Sequence, residues 1–598
     1  MRLHRVVSTV VALLAMSFAT QANATAYRNF RVAIYVTVHD TQKLADPATF
    51  AREFARVSSQ LQFDKVYIEA YRDRTLATDA QLETVKREFQ SKGIQTSGGI
   101  TLAAGGAGGQ FGTFDYENPT DRAECERAVR LIARHFDEVI LDDFFFYNSK
   151  SDADIAARGS RSWTDYRLAK MNEVSRDLVL GPAHQENPRV RVIIKYPNWY
   201  EHFHGLGFDL DQEAHAFDAI YTGTETRDPE ITDQLLQQYE SYEIFRYFSN
   251  IRPGANLGVW VDTYSIRSID RYAEQLWDGL FAKAPEQTLF EWSAMASDKP
   301  AVAGSRPWSG QATSFTWSAI AAKQPNAGWA TAANAALHIA DGVIGQLGKP
   351  VGIASYRPPH ASGEDFLHNY IGNLGVPIEL KADYPTDAGT ILLTEAAAAD
   401  PSIIARIDDS LHKGANVIVT SGFLAAMQDR GFQQLAEWHT TGRAIALDRY
   451  FDGFGAGNGR ELTGVRKPTP VLFPEIRFYT NDSWGIIRGV VAKKGFPVVL
   501  MNHYSKGTLY LWNMPENFGD LYTLPQPMIT RIKQYLFGDA PVQIDAPDHV
   551  ALLTYDNGSF IVQNFRDDAA RVGITRKERS ATESVAIPPH SFRLFAAH

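Results

Sequence analysis

Asp142 and Asp143 stand side by side in the run EVILDDFFFY, residues 138–147. Two adjacent carboxylates in so apolar a setting are costly to bury unless they have partners or a use. Glu225, in YTGTETRD (221–228), and Glu291, in TLFEW (288–292), follow β-rich runs of the same kind. Carboxylates held in different surroundings divide proton work: one, with a raised pKa, donates, while the other stays ionised and attacks or activates water. Asp142, Asp143, Glu225 and Glu291 are therefore the candidate catalytic residues. Polar and aromatic residues stand at equivalent places after other runs: Glu69, Tyr71 and Arg72 after KVYI, Lys195 and Trp199 after VRVII, Trp260 and Asp262 in NLGVWVD, and Trp292 beside Glu291. Flat rings interleaved with acids and cationic donors suit sugars, whose C–H faces stack and whose hydroxyls take paired hydrogen bonds. Cleaving a glycosidic bond needs two carboxyls. Glu69, Tyr71, Arg72, Lys195, Trp199, Trp260, Asp262 and Trp292 are the candidate substrate-binding residues.

Other patterns are weaker. Gly105–Gly112 lacks the Gly-Lys-Ser/Thr ending of a phosphate loop. His202 and His204, with Glu201 and Asp209 nearby, read as hydrogen-bonding residues rather than metal ligands. Neither a cofactor nor a metal is expected. A Gly-x-Ser-x-Gly elbow does not occur, which disfavours esterase chemistry.

For these residues to meet, their runs must be neighbouring strands. Arg31–Val38, Lys65–Ala70, Ile94–Thr101, Glu138–Phe144, Val190–Lys195, Phe217–Thr222, Asn256–Val261 and Thr288–Trp292 read as eight strands separated by amphipathic helices. That alternation predicts an α/β fold, a (β/α)8 TIM barrel over residues 25–335, with the active site at the C-terminal strand ends. Pro350–Ser355, Thr390–Thr394, Asn416–Thr420 and Thr508–Trp512 predict a smaller open α/β sheet over 336–542. Residues 543–598, with an Asn557-Gly558 hairpin turn, predict a small antiparallel β domain.

The length of 598 residues suits about three domains. One cysteine, Cys125, excludes a disulfide framework and any site built on several thiolates. On the helical pattern of Glu124–Phe136 it reads as a small buried hydrophobe. A net charge of −10 provides no footprint for nucleic acid or an anionic membrane. Residues 1–24 have a basic start, an apolar run and an Ala-Asn-Ala site, the pattern of a cleavable signal peptide. The mature chain is expected to begin near Thr25 and to be periplasmic or secreted.

The order of barrel, open α/β domain and short β domain resembles family 42 β-galactosidases and related barrel glycoside hydrolases. The segments PVGIASY, TILLTEAAAADPSIIARIDDSLHKGANVIVTSG and KGTLYLWNMPENFGD resemble their class I glutamine amidotransferase-like domain. The matching elbow reads Val419-Thr420-Ser421-Gly422, without the nucleophilic Cys such a domain needs for amidotransferase activity. The resemblance implies packing and homo-oligomer contacts for this domain, and a carbohydrate substrate for the barrel. The family places an Asn-Glu pair after strand four and a Glu after strand seven; this chain has Asp142-Asp143 and Asp262. Acids after strands four and six resemble α-galactosidase and α-glucosidase barrels, and an Asp-Asp pair resembles hexosaminidases in which the substrate's acetamido group attacks. The alternative is a non-catalytic carbohydrate-binding barrel, a lapsed hydrolase. Two of the acids facing one another across a pocket would separate the two readings.

Overall fold

In a computed structural model, residues 26–105, 112–199, 201–232, 236–266, 268–299, 317–324, 327–453, 459–464, 470–578 and 582–597 are described. The leader at 1–24 and nearly all of the Gly105–Gly112 stretch lie outside them. Eight parallel strands close into a barrel: β1 Arg31–Val36, β2 Lys65–Glu69, β3 Gln95–Ile100, β4 Glu138–Leu141, β5 Arg191–Tyr196, β6 Ala219–Gly223, β7 Asn256–Val261 and β8 Glu286–Phe290. Each strand pairs with its sequence neighbours, and β8 closes on β1 from Arg31↔Glu286 to Tyr35↔Phe290. Both strand faces are covered, by helices outside and by side chains inside. That is why the runs read as continuously apolar.

The helices are set by local chemistry. α1 (Pro47–Ser58) begins at Asp46, whose side chain accepts from the Thr49 amide, with Pro at its first position. α2 (Asp79–Ser91) begins with a reciprocal Thr78/Gln81 capping box. In α3 (Pro119–His135), Cys125 is buried with Ala128, Val129 and Ile132. α4 (Ile269–Phe281) joins β7 to β8, and α5 (Trp329–Ile344) packs on it.

The barrel interior holds Ala33, Tyr35, Tyr67, Ile140, Ile193, Ala219, Tyr221 and Trp260. Gly99 in β3 makes room for Tyr35: a Cβ there would sit 2.7 Å from the ring. The floor is polar but satisfied. Lys65 Nζ donates to the Tyr67 hydroxyl (2.7 Å) and to Glu138 (2.5 Å), and the Tyr67 hydroxyl donates to Glu286 (2.7 Å).

The second sheet has nine strands, more than the four or five apparent in the sequence. Its parallel part comprises β9 (Ile353–Tyr356), β10 (Ile378–Lys381), β11 (Thr390–Leu393), β12 (Asn416–Thr420) and β17 (Gly507–Trp512). These lie in the order β10-β9-β11-β12-β17. Four antiparallel strands extend the β17 edge in the order β16-β15-β13-β14: β13 (Arg449–Asp452), β14 (Arg460–Glu461), β15 (Ser483–Val491) and β16 (Lys494–Tyr504). They escaped the sequence reading because their apolar stretches, such as Val498–Met501 in β16, are short and bordered by Gly, Pro, Lys and Arg. The C-terminal segment forms antiparallel sheets of four and three strands around Ile544, Leu552, Val562 and Val572. One strand of the four is Pro350–Val351, ahead of β9. Among the described residues no helix is long and apolar enough to cross a membrane.

The junction between the barrel and the second sheet buries Glu201, Glu240 and Glu243 around the single guanidinium of Arg357. Burial, with Glu201 beside it, lifts the Glu240 pKa to about 8; burial, Glu240 and Glu201 lift Glu243 well above the carboxylate range. A carboxyl whose folded pKa is raised contributes stability that is whole below its unfolded pKa of about 4.3 and is lost as pH rises through the folded value. The melting temperature should therefore fall between pH 5 and 8, and Glu240→Gln should flatten that slope. A slope identical in the variant would assign the pH dependence elsewhere.

Candidate active site

Lys195, near the end of β5, is the hub. Its Nζ lies 2.7 Å from Asp143 Oδ2, 3.0 Å from Glu225 Oε1 and 3.4 Å from Asp142 Oδ1, and 4.3 Å from the centre of the Trp260 ring. All four polar residues are buried. Strand alternation puts Lys195 inward while Tyr196 turns outward and stacks on Phe248. Asp142 and Asp143 both reach Lys195 because β4 ends at Leu141, so the alternation of a strand no longer separates them. Glu225 follows β6, and its Oε2 has no hydrogen-bond partner among the described residues.

A second cation divides these acids. Arg72 Nη2 donates to Asp142 Oδ2 (2.8 Å), and its Nε faces both oxygens of Glu69 (3.1 Å each). Glu69 is fully occupied: it also accepts from the Tyr35 hydroxyl (2.7 Å), the Val38 amide (2.6 Å) and the Thr101 hydroxyl. Thr101 contacts Asp142 as well (3.1 Å). Burial opposes the charge on Asp142, but Lys195 and Arg72 outweigh it and hold that carboxyl below the usual range. Asp143 is pushed the other way, by burial and by its neighbours Asp142 and Glu225, with Lys195 countering only in part. Burial also raises Glu225 against the pull of Lys195. One carboxyl whose ionised form is favoured and two whose protonated forms are favoured thus surround one point, the division of labour that acid–base chemistry needs.

The remaining candidates divide into near and far. Trp260 lines the interior beneath Lys195, against Tyr35 (centroids 4.7 Å apart). Trp199, half-buried, meets Phe144 edge-on at 5.8 Å. Asp262 is held by Arg227 (2.8 and 3.4 Å) and by the Tyr264 amide (3.0 Å), so Arg227 pairs with Asp262 rather than with Glu225. Glu291 is not among the acids on Lys195. It accepts from the Tyr264 hydroxyl (3.2 Å) and Ser293 (2.9 Å), and with burial it helps lift Asp40 to about 6.

Two expectations are corrected. Trp292 is not a sugar platform. The strand stops at Phe290, Trp292 starts a short helix, and its ring packs against Phe63 and Phe89 behind the barrel while Nε1 donates to Glu53 (3.1 Å). Tyr71 points away from Arg72 and donates to Glu124 on α3 (2.7 Å). Trp292→Ala should therefore destabilise the fold by about 3–5 kcal/mol and leave KM unchanged at permissive temperature; a KM effect in folded protein would return Trp292 to the site.

Thr101, Tyr35, Arg227, Tyr264 and Asp40 were missed. Thr101 and Asp40 follow β3 and β1 as the chosen residues follow other strands, so the same question put to those ends would have found them. The pairing of Arg227 with Asp262 left no signal, because it joins two loops through space. His202 faces Asp365, and His360 faces Asp209 (3.1 Å), so these histidines serve the junction with the second sheet. In the elbow, Glu364 accepts from the Gly422 amide (3.0 Å) and the Glu395 amide (2.8 Å).

Comparison with known proteins agrees with this architecture. Residues 19–351 match the family described as "Probable glycosyl hydrolase, catalytic domain", 348–517 match "Uncharacterized protein SSO3021, second domain", and 541–582 match "Probable glycosyl hydrolase, C-terminal domain". The uncharacterized protein SSO3021 of Saccharolobus solfataricus is 27% identical over 297 residues, covering 44% of this chain and 49% of that protein. The match thus spans about half that relative's length. The cold-adapted β-galactosidase from Rahnella sp. R3 superposes with a TM-score of 0.63 at 11% identity, covering 95% of this chain and 98% of that one. Gan42B, a GH42 β-galactosidase from G. stearothermophilus, superposes at 0.61 with 9% identity, covering 95% and 98%. At such identities the likeness is one of fold.

Proposed function

The chain belongs to the glycosyl hydrolase family whose catalytic domain spans residues 19–351, and on that premise we propose that it is exported and cleaves an oligo- or polysaccharide with the carboxyls gathered on Lys195. The observation that carries this reading is the convergence of Asp142, Asp143 and Glu225 on one ammonium, with Arg72 reaching Asp142 of these three. Glu225, whose proton is favoured by burial and whose Oε2 has no partner among the described residues, protonates the leaving oxygen. Asp142, held ionised, faces the anomeric carbon, and Asp143 orients the sugar. Lys195 and Arg72 keep the carboxylate charged and fixed. Trp199 offers a ring face and Asp262 a hydroxyl contact, while Trp260 backs the Lys195 ammonium from inside the barrel.

Asp142 Oδ1 and Glu225 Oε1 lie 3.4 and 3.0 Å from the same nitrogen, so they are no farther apart than those two contacts laid end to end. That upper bound admits a retaining pair, whose carboxyls stand about 5–5.5 Å apart, and reaches the edge of the roughly 6.5–9.5 Å of an inverting one, so the first-formed anomer decides between them. The basic, apolar leader ending in Ala22-Asn23-Ala24 supports export.

The test is a panel of aryl glycosides, β-galactosides included, and polysaccharides, assayed with protein beginning at Thr25. Released sugar that disappears in the Asp142→Asn/Asp143→Asn variant establishes the hydrolase. NMR of the first-formed anomer reads retention directly. Binding by calorimetry without turnover on any substrate would instead make the barrel a lapsed hydrolase.

A further inference from the structure

Every residue of α4 is buried, yet the positions Arg271, Glu274, Gln275 and Asp278, spaced to form one face, are polar. An amphipathic helix puts apolar residues at that spacing when it docks. Here the face is ionic, and it joins two distant parts of the chain. On one side Glu274 Oε1 meets His590 Nδ1 of the C-terminal unit (2.7 Å), and His590 Nε2 meets Asp567 (3.1 Å). His590 is fully buried; burial opposes its charge, but the two carboxylates raise its pKa. Arg271 Nη1 donates to Glu274 (2.8 Å) and to the Phe565 carbonyl (3.0 Å).

On the other side the same helix holds the segment that carries Glu225. Gln275 Oε1 accepts from the Arg227 amide (2.8 Å), at a residue in the left-handed region (φ 59°). Arg271 also faces Asp228 (3.9 Å) and Glu230 (3.6 Å). The Thr224 amide is tied to the Trp260 carbonyl (3.0 Å), so the segment is pinned on both sides of Glu225. Burying this many charges costs more than an apolar face of the same shape. What an ionic face provides is a single register, and here that register reaches the proton donor.

We propose that the C-terminal unit completes the active site from behind, with His590 as a positioning residue that acts through Glu274, Arg271 and Gln275 on the 224–228 segment. The inference rests on the reading of Glu225 as the proton donor. A displacement of about 1 Å at such a group costs on the order of 10²-fold in rate.

The experiment compares full-length His590→Gln and Gln275→Leu with wild type, by hydrogen exchange of residues 224–228 and by kcat and KM across pH. We expect faster exchange in that segment, kcat lower by on the order of 10²-fold with KM little changed, and a shift of the pH limb that belongs to Glu225. A role confined to stability would lower the melting temperature and leave the pH limb in place. Unchanged exchange, or faster exchange with unchanged kcat, in folded variants overturns the proposal. Gln275→Leu loosens the segment directly and serves as the positive control, and Asp567→Asn, a half-exposed partner of His590 on the C-terminal unit, decides the matter by the same readouts if His590→Gln does not fold. Near-wild-type turnover of Glu225→Gln would instead refute the role of Glu225, while the exchange result stands on its own.

Discussion

Glu225→Gln will reduce turnover by about 10²–10⁴-fold, the usual contribution of a positioned proton donor, and leave the melting temperature close to that of wild type. The two side chains have the same shape, and the amide oxygen of Gln can still accept from Lys195, which lies 3.0 Å from Oε1. Two carboxyls, Asp142 and Asp143, remain on that ammonium, so the buried cation is not stranded. What disappears is the proton that burial favours on Glu225 against the pull of Lys195. The loss should depend on the leaving group. An aryl glycoside whose phenolate departs unaided needs little protonation and should recover most of the rate, whereas an alkyl glycoside should not. Rates equal to wild type on an alkyl substrate would remove Glu225 from the mechanism. Equal losses on both substrates would make it a structural member of the cluster.

The pattern of what could be read in advance follows from strand geometry. The eight barrel strands were legible because burial on both faces leaves unbroken apolar runs, and the barrel then fixes which end of each run carries function. That rule was enough to bring forward Asp142, Asp143, Lys195 and Glu225. It misplaced Tyr71 and Trp292 for a reason that was itself available in the sequence. Neighbouring residues of extended chain point to opposite sides, so Arg72 and Tyr71 could not both face the mouth, nor could Glu291 and Trp292. Asp142 and Asp143 escape this limit only because β4 stops at Leu141, a boundary that no local pattern announces. The pairs Arg227–Asp262 and Glu274–His590 were illegible in another sense. Their partners are 35 and 316 residues apart, and only the closed barrel and the docked C-terminal sheets bring them together. The antiparallel strands added beyond β17 were missed because Gly, Pro, Lys and Arg border their short apolar stretches.

Lys195→Met should be strongly destabilising and abolish activity, through charge more than through shape. The methionine stem fits against Trp260, where Nζ now lies 4.3 Å from the ring centre, but three buried carboxyls lose the cation they share. Removing one member of a buried ionic cluster costs about 3–5 kcal/mol, because the remaining charges keep their desolvation penalty without compensation. The cost depends on pH, with a defined sign. In wild type Lys195 and Arg72 hold Asp142 below the ordinary carboxylate range, so its contribution to stability is present above the unfolded pKa and fades only as pH falls through the folded one. Without Lys195 the folded pKa of Asp142 rises, and those of Asp143 and Glu225, already raised, rise further. Stability of the variant then falls as pH rises through these values. The gap between the two melting curves should therefore be open already near pH 4, where wild type keeps the contribution of Asp142, and widen toward pH 8. Adding Asp143→Asn to the Lys195→Met variant removes one unpaired charge and should recover part of the lost stability while activity stays absent, a separation of fold from function that Lys195→Met alone does not give. Arginine is no conservative replacement at this position, since its planar fork needs room that the ring and three carboxyls already occupy. A melting gap independent of pH would mean that the carboxyls reorganise around water instead of competing for their protons, and Lys195 would then be a packing residue with no electrostatic part in the site.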